Sequence, residues 1–256
     1  MTLIELLIAI SMMALMAASM GVVARTVQMT SEYTDGYATA TQHARVTFER
    51  ISRMVSQATA SESFPGAAVF ATTVGSWRYP DTLVVWHPTA AAANPTGMPL
   101  MRELVVYTPH PTDPSQLLEI TAPADSRTAP ALSNSSAWAS ELATLRTSNA
   151  TNKTLLTDLL RTASATSGGN GLRAALRFEV ELRPTAAEWT NFRAGTLAWE
   201  NLTWVQDLYG SQTGLRQTWV RAELQLLPSG GAAATRTLRQ PAPFFGSAAL
   251  YSTLSR

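Results

Sequence analysis

With 256 residues, the chain has room for one large domain or two small ones. Hydrophobic residues make up 46% of it and charged residues only 14%, against about 25% in ordinary globular domains, which excludes a solvated disordered protein. The net charge of +1 does not draw in nucleic acid, so we infer no nucleic-acid partner. Because cysteine is absent, disulfides, thiolate zinc sites and cysteine nucleophiles are excluded.

Residues 1–24 are the most apolar stretch of the sequence and predict a membrane-spanning helix. They contain one ionisable side chain, Glu5, and no proline, and about 20 such residues cross a bilayer. A buried core helix of this length would normally have a polar face. A signal peptide would have basic residues before the apolar run, whereas Arg25 follows it. We therefore expect residues 1–24 to form a transmembrane segment.

Glu5 is unusual because a carboxylate inside an apolar helix costs about 2.5–3.5 kcal/mol on insertion scales. Such a residue is expected to have both a partner and a function. The N-terminal amine of its own helix lies about 6 Å away along the axis and is poorly placed to pair with it. A neighbouring copy, shifted along a common axis, is better placed. The sequence therefore predicts helices packed side by side with a fixed stagger.

The segment Thr2-Leu3-Ile4-Glu5-Leu6-Leu7-Ile8-Ala9-Ile10 resembles the N-terminal signature of the type IV pilin superfamily, which includes the type II secretion pseudopilins. The resemblance implies that a prepilin peptidase removes a short basic leader before Met1, and that the new amine of Met1 is N-methylated. It also implies partners: other pilin or pseudopilin subunits, an assembly platform protein and an assembly ATPase. Met1 departs from the family, which usually has phenylalanine there.

Residues 25–62 predict a continuation of the same helix as an amphipathic half. No proline occurs before Pro65, so we expect the helix to end between Ser61 and Phe64. Apolar residues recur at spacings of three and four and should pack on a sheet: Tyr33, Tyr37, Ala40, Ala44, Phe48, Ile51, Val55 and Ala58. His43 is expected on the polar face, in solvent. Residues 44–55 resemble the J-type minor pseudopilins and related large minor pilins.

Residues 63–256 predict a β-rich globular domain in the periplasm or exterior. Together with the helix, they predict an α+β fold in which one long N-terminal helix packs on an antiparallel sheet with helical inserts, as in a pilin. We expect helical inserts at 136–147 and 153–163. Apolar and β-branched patterns predict strands at 82–86, 102–108, 116–121, 172–183, 215–227 and 235–239.

No pattern in the sequence indicates catalysis, a cofactor or a metal. The three histidines are scattered, and no run of aspartates has the spacing of a calcium loop. The sequence has no nucleophile elbow of the form Gly-x-Ser-x-Gly. We therefore expect no catalytic, cofactor-binding or metal-binding residues, and a protein that is not an enzyme.

These observations favour a structural subunit of a type IV pilus or a type II secretion pseudopilus, held in the inner membrane by a single pass before assembly. The size of the chain and its long inserts favour a minor subunit at the tip or in initiation. Two other interpretations are open. The chain could be the major repeating subunit of a pilus-like filament, or it could be a membrane-anchored periplasmic enzyme or binding protein.

Overall fold

The structure is a computed structural model, which describes residues 2–165, 171–198, 201, 215–228 and 240–253. It has an α+β architecture, with a long N-terminal helix, antiparallel sheets and a few short helices. The expected fold class is therefore confirmed.

Helix α1 runs without a break from Leu3 to Ser56, which confirms the predicted continuity of its apolar and amphipathic parts. Every described residue before Gly36 is exposed. Beyond this point one face is buried, and it consists mainly of small or branched residues: Gly36, Ala40, Ala44, Thr47, Ile51, Met54 and Val55.

The helix ends at Ser56, earlier than the predicted end at 61–64. After Ser56 the backbone hydrogen-bonds to the five-stranded sheet instead of to the helix, since the N–H of Thr59 donates to the carbonyl of Trp86 at 2.9 Å. The N–H of Trp86 in turn donates to Gly66 at 2.8 Å. These two bonds replace the next helical turn, so the helix ends well before Pro65.

A five-stranded antiparallel sheet lies against one side of α1. Its strands follow each other in chain order across the sheet. The predicted strands at 82–86, 102–108 and 116–121 correspond to the second, third and fourth of them. The five strands are β1 (Ala67–Val74), β2 (Trp77–Trp86), β3 (Leu104–Pro109), β4 (Leu117–Thr121) and β5 (Asn152–Thr157).

A separate three-stranded sheet has the order β10–β9–β8, and β6 and β7 form a small hairpin beside it. The strand predicted at 215–227 is confirmed as β9, in which Val220, Ala222 and Leu224 are buried and Trp219 lies on the other face. The predicted strand at 235–239 lies outside the described residues. The strands are β6 (Thr162–Ser164), β7 (Leu172–Ala174), β8 (Leu176–Arg183), β9 (Leu215–Leu226) and β10 (Ala242–Thr253).

The predicted insert at 136–147 is confirmed as helix α2 (Ser135–Thr147), and a second helix, α3 (Ala186–Arg193), was not predicted. A single 3₁₀ turn (Met101–Glu103) leads into β3. The predicted helix at 153–163 is wrong, because β5 and β6 occupy this segment. Its leucines mimic a helical stripe, but pairing of β5 with β4 determines the conformation.

Two apolar cores hold these layers together. The first lies between α1 and both large sheets, and includes Ile51, Val55 and Phe178. The second lies under α2 on the opposite face of the five-stranded sheet, where Phe70 stacks on Trp138 at 4.4 Å between ring centroids. The exposed part of α1 contributes to neither core.

Because no described residue before Gly36 is buried, a chain shortened to begin at Tyr33 is expected to fold and remain soluble without lipid or detergent. Its unfolding transition should be cooperative and close in midpoint to that of the full chain in detergent. Circular dichroism during heating provides the comparison. Aggregation of the shortened chain, or a non-cooperative transition, would contradict the independence of the globular part.

Candidate functional site: an exposed apolar helix joined to the sheets

The N-terminal part of α1 has the length and composition of a membrane span. Its most apolar window has a mean hydropathy of 2.3, and none of that window is buried in the structure. Large side chains on every side of the helix are exposed, including Leu3, Ile8, Met13 and Val22. Contiguous exposed apolar surface of this size normally contacts lipid or another protein. The helix is therefore long and apolar enough to serve as a single-pass anchor.

Hydroxyl groups in this part of the helix are satisfied within the helix itself. Ser11 donates to the carbonyl of Leu7 at 2.8 Å, and Thr26 donates to that of Val22 at 2.9 Å. Ser19 donates to Met16 at 2.8 Å. These bonds lower the free energy of placing serine and threonine in an apolar medium, where an unpaired hydroxyl is unfavourable.

Glu5 lies in the first turn of α1, where its Oε2 accepts a hydrogen bond from the backbone N–H of Thr2 at 2.8 Å. A carboxylate here also interacts favourably with the positive end of the helix dipole. This local partner was not predicted from the sequence, although Thr2-x-x-Glu5 has the spacing of a capping box. Met1, which is expected to carry the processed and methylated amine, lies outside the described residues.

The predicted packing residues of α1 occupy different environments. Ile51 and Val55 are buried in the core, with exposures of 3% and 0%. Phe48 is partly buried against the same core, and Tyr37 contacts Phe244 at the start of β10, with 6.4 Å between ring centroids. Tyr33 is 61% exposed, so its predicted packing on the sheet is wrong. Tyr33 lies one helical turn before Tyr37. Tyr37 already contacts the start of β10, so Tyr33 lies beyond the end of this strand.

An ion pair fixes α1 to the fourth strand of the five-stranded sheet. Arg50 donates to Glu119 on β4 through both Nε and Nη2, each at 2.8 Å. The hydroxyl of Tyr107 on β3 also donates to Glu119, at 3.1 Å. Hydrogen bonding to Glu119 raises the pKa of the Arg50 guanidinium, and burial raises the pKa of the Tyr107 phenol. This pair was not predicted from the sequence, because its members lie 69 positions apart.

His43 was predicted to lie in solvent, and this prediction is wrong. The residue is half-buried, and its Nδ1 lies 3.2 Å from the hydroxyl of Thr157 at the end of β5. Together with Arg50, it fixes the rotation of α1 relative to the sheet.

Replacing Arg50 with alanine is expected to destabilise the folded chain by about 1–3 kcal/mol, because it leaves the buried carboxylate of Glu119 without its charged donor. Arg45→Ala is the matched control, since Arg45 is an exposed arginine on the same helix. Urea unfolding of both variants measures the difference between their free energies of unfolding. Equal midpoints for the two variants would show that the pair does not hold the helix to the sheet.

The outer face of the three-stranded sheet is a second exposed surface. Trp219 lies beside Arg221 and Arg183, with the guanidinium carbons 4.3 and 6.0 Å from the ring centroid. Glu181 pairs with both arginines, which lowers the pKa of its carboxyl, chiefly through the hydrogen bond from Arg183. Phe245 on β10 is 73% exposed beside a cavity of about 420 Å³. Such a mixture of arginine and aromatic side chains is typical of protein interfaces.

The described residues contain no group of three histidine, aspartate or glutamate side chains that could hold a metal ion. The comparison with known proteins found no match among protein-family models, curated proteins or solved structures.

Proposed function

We propose that the chain is a filament subunit of the type IV pilin superfamily, in a type IV pilus or a type II secretion pseudopilus. One observation carries this proposal. An exposed apolar helix with a glutamate in its first turn continues without a break into a helix that packs on antiparallel sheets. A simple membrane anchor would not need a rigid connection of this kind, whereas a filament subunit does.

Before assembly, the apolar part of α1 lies in the inner membrane. Residues 3–24 extend about 33 Å as a helix, which matches the apolar thickness of a bilayer of about 30 Å. The globular domain is then in the periplasm or exterior. Assembly moves this helix from lipid into a bundle of identical or related helices, where apolar side-chain contacts replace contacts with lipid. The hydroxyls that are already bonded within the helix are compatible with both environments.

Glu5 determines the register of this bundle by pairing with the N-terminal amine of a neighbouring subunit. Among the described residues, the carboxylate accepts one hydrogen bond, from the backbone N–H of Thr2. An ionised carboxylate has capacity for further donors, so the neighbour's amine can be added without breaking this bond. The pair is favourable only at one axial stagger, which gives the filament a defined rise.

Within the family, we propose a minor subunit that acts at the tip or in initiation. The chain is long, and segment 44–55 resembles the large minor pilins. The outer face around Trp219 and Phe245 gives the globular domain a surface for contact with a different subunit. The partners are therefore other pilin or pseudopilin subunits, with a prepilin peptidase and an assembly platform in the membrane.

The intact mass of the chain in native filaments tests this proposal. We expect a mass that begins at Met1 and includes one methyl group on its amine. An unprocessed N-terminus upstream of Met1 in assembled filaments would contradict it, and so would the absence of the chain from purified filaments.

A further inference from the structure

A polar pocket of about 400 Å³ opens at one end of the five-stranded sheet. The turn after β3, with Pro109 and His110, forms one wall. Arg146 at the end of α2 and Arg173 on β7 form another, and Asp81 on β2 is the only acidic residue among the described lining residues. Two arginines and one aspartate give this lining an excess of positive charge. The pocket is distinct from α1 and from the outer face around Trp219.

Arg146 is rigidly held at the base of the pocket. Its Nε donates to the hydroxyl of Thr108 at 2.9 Å, and its Nη2 donates to that of Thr82 at 2.5 Å. The nearest carboxylate oxygen, on Asp81, is 3.9 Å away, which is too long for a hydrogen bond. That oxygen already accepts the hydroxyl protons of Thr72 and Thr82. Arg146 therefore keeps a fixed orientation with an incompletely neutralised charge.

Arg173 faces the same pocket and has no partner among the described residues. Its Nε is buried and has no hydrogen-bond acceptor there. Burial lowers the pKa of the Arg146 guanidinium, Asp81 raises it, and the charge of Arg173 lowers it further. The two guanidinium groups thus repel each other across the pocket. A buried, unpaired donor of this kind is unfavourable, and an anion placed between the two groups would relieve both penalties.

The hydrogen bonds of His110, which lines the pocket, fix the tautomer of its ring. Its Nδ1 accepts hydrogen bonds from the backbone N–H groups of Thr112 at 3.3 Å and Asp113 at 3.1 Å. Because Nδ1 acts as an acceptor, the proton of the neutral ring resides on Nε2. The lining therefore combines two guanidinium groups and an imidazole N–H, a set that matches an oxyanion and not a cation.

We propose that this pocket binds an oxyanion, either a phosphate or a carboxylate, between Arg146 and Arg173. The pocket is far from the lipid. Pro109 pairs with Leu117, Leu117 pairs with Thr157, and Thr157 contacts His43 on α1. His43 lies about 28 Å along the helix from residue 24, where the apolar run ends. The oxyanion is therefore a soluble one or a carboxylate of a neighbouring protein chain. This inference does not depend on the proposed assembly function.

Calorimetric titration of the full-length chain in detergent, with inorganic phosphate in one series and succinate in another, tests the proposal at constant ionic strength. We expect saturable binding of at least one of the two anions. Binding of phosphate alone identifies a phosphate site. Binding of succinate identifies a carboxylate site, which suits an acidic side chain of a neighbouring chain.

Arg173→Gln is expected to weaken this binding about tenfold or more, because it removes a charged donor that the fold does not use. Arg102→Gln is the matched control, since Arg102 is exposed and outside the pocket, and it should bind as the unmodified chain does. Arg146→Gln is less useful because Arg146 also supports the fold. Absence of saturable binding for both anions would overturn the proposal, and so would unchanged affinity in Arg173→Gln.

Discussion

Replacing Glu5 with alanine is expected to abolish incorporation of the chain into filaments while leaving membrane insertion and the globular fold intact. Removing one member of a buried ion pair costs about 3–5 kcal/mol at the contact with the neighbouring subunit. The globular fold should not respond, because Glu5 lies about 46 Å along the helix from Gly36, the first buried residue in the described part of the chain. The amount of chain in sheared filaments, relative to the membrane fraction, measures the effect.

A second substitution of Glu5, compared with a control at Ser11, separates the possible roles of this carboxylate. Glu5→Gln keeps the size of the side chain and can still accept the hydrogen bond from Thr2, but it lacks the charge. If the ion pair sets the register, this variant fails to assemble as Glu5→Ala does. Ser11→Ala is the control, since the Ser11 hydroxyl is bonded within the helix and should be dispensable. Normal assembly of Glu5→Gln would contradict an ionic role and leave only helix capping.

Replacing Phe48 with alanine is expected to destabilise the globular domain by about 3 kcal/mol, the lower end of the range for buried aromatic residues, because the ring is partly exposed. The ring lies directly over Gly246 on β10. A Cβ added at Gly246 would be 2.4 Å from Cδ1 of Phe48, so only glycine fits beneath the ring. The gap that remains around Phe48, Ile51 and Val220 is about 10 Å³. Truncation of the ring would therefore leave a cavity.

Tyr33→Ala is the matched control for this prediction. Both residues are aromatic and lie on α1, but Tyr33 is exposed and should contribute little to stability. Urea unfolding of the full-length chain in detergent gives the two free energies of unfolding. Equal destabilisation by the two substitutions would contradict the packing described for this helix.

The long helix was predictable because the sequence features that indicate it are local. The apolar run and the recurrence of apolar residues at three and four positions depend only on neighbours in sequence. The buried alternation of β9 was predictable for the same reason. The glycine at position 36 did not interrupt the helix, because it lies at the buried start of the packed face, where a small residue allows close approach.

The sequence-based predictions were wrong where contacts between residues far apart in the sequence override the local pattern. Residues 153–163 contain leucines at helical spacing, yet hydrogen bonding to β4 makes Asn152–Thr157 a strand and leaves Leu155 half exposed. Helix α3 was missed although Thr185 and Glu188 form a capping box at its start. The Arg50–Glu119 pair and the pocket between Arg146 and Arg173 could not be predicted, since each joins residues that only the fold brings together.

A structure of the assembled filament, resolved well enough to place side chains, tests the central claim most directly. We predict that residues 3–24 form the filament core and that the carboxylate of Glu5 lies within salt-bridge distance, about 4 Å, of a neighbouring subunit's N-terminal nitrogen. A carboxylate far from every such nitrogen would contradict the register mechanism, and apolar helices outside the core would contradict the filament assignment itself.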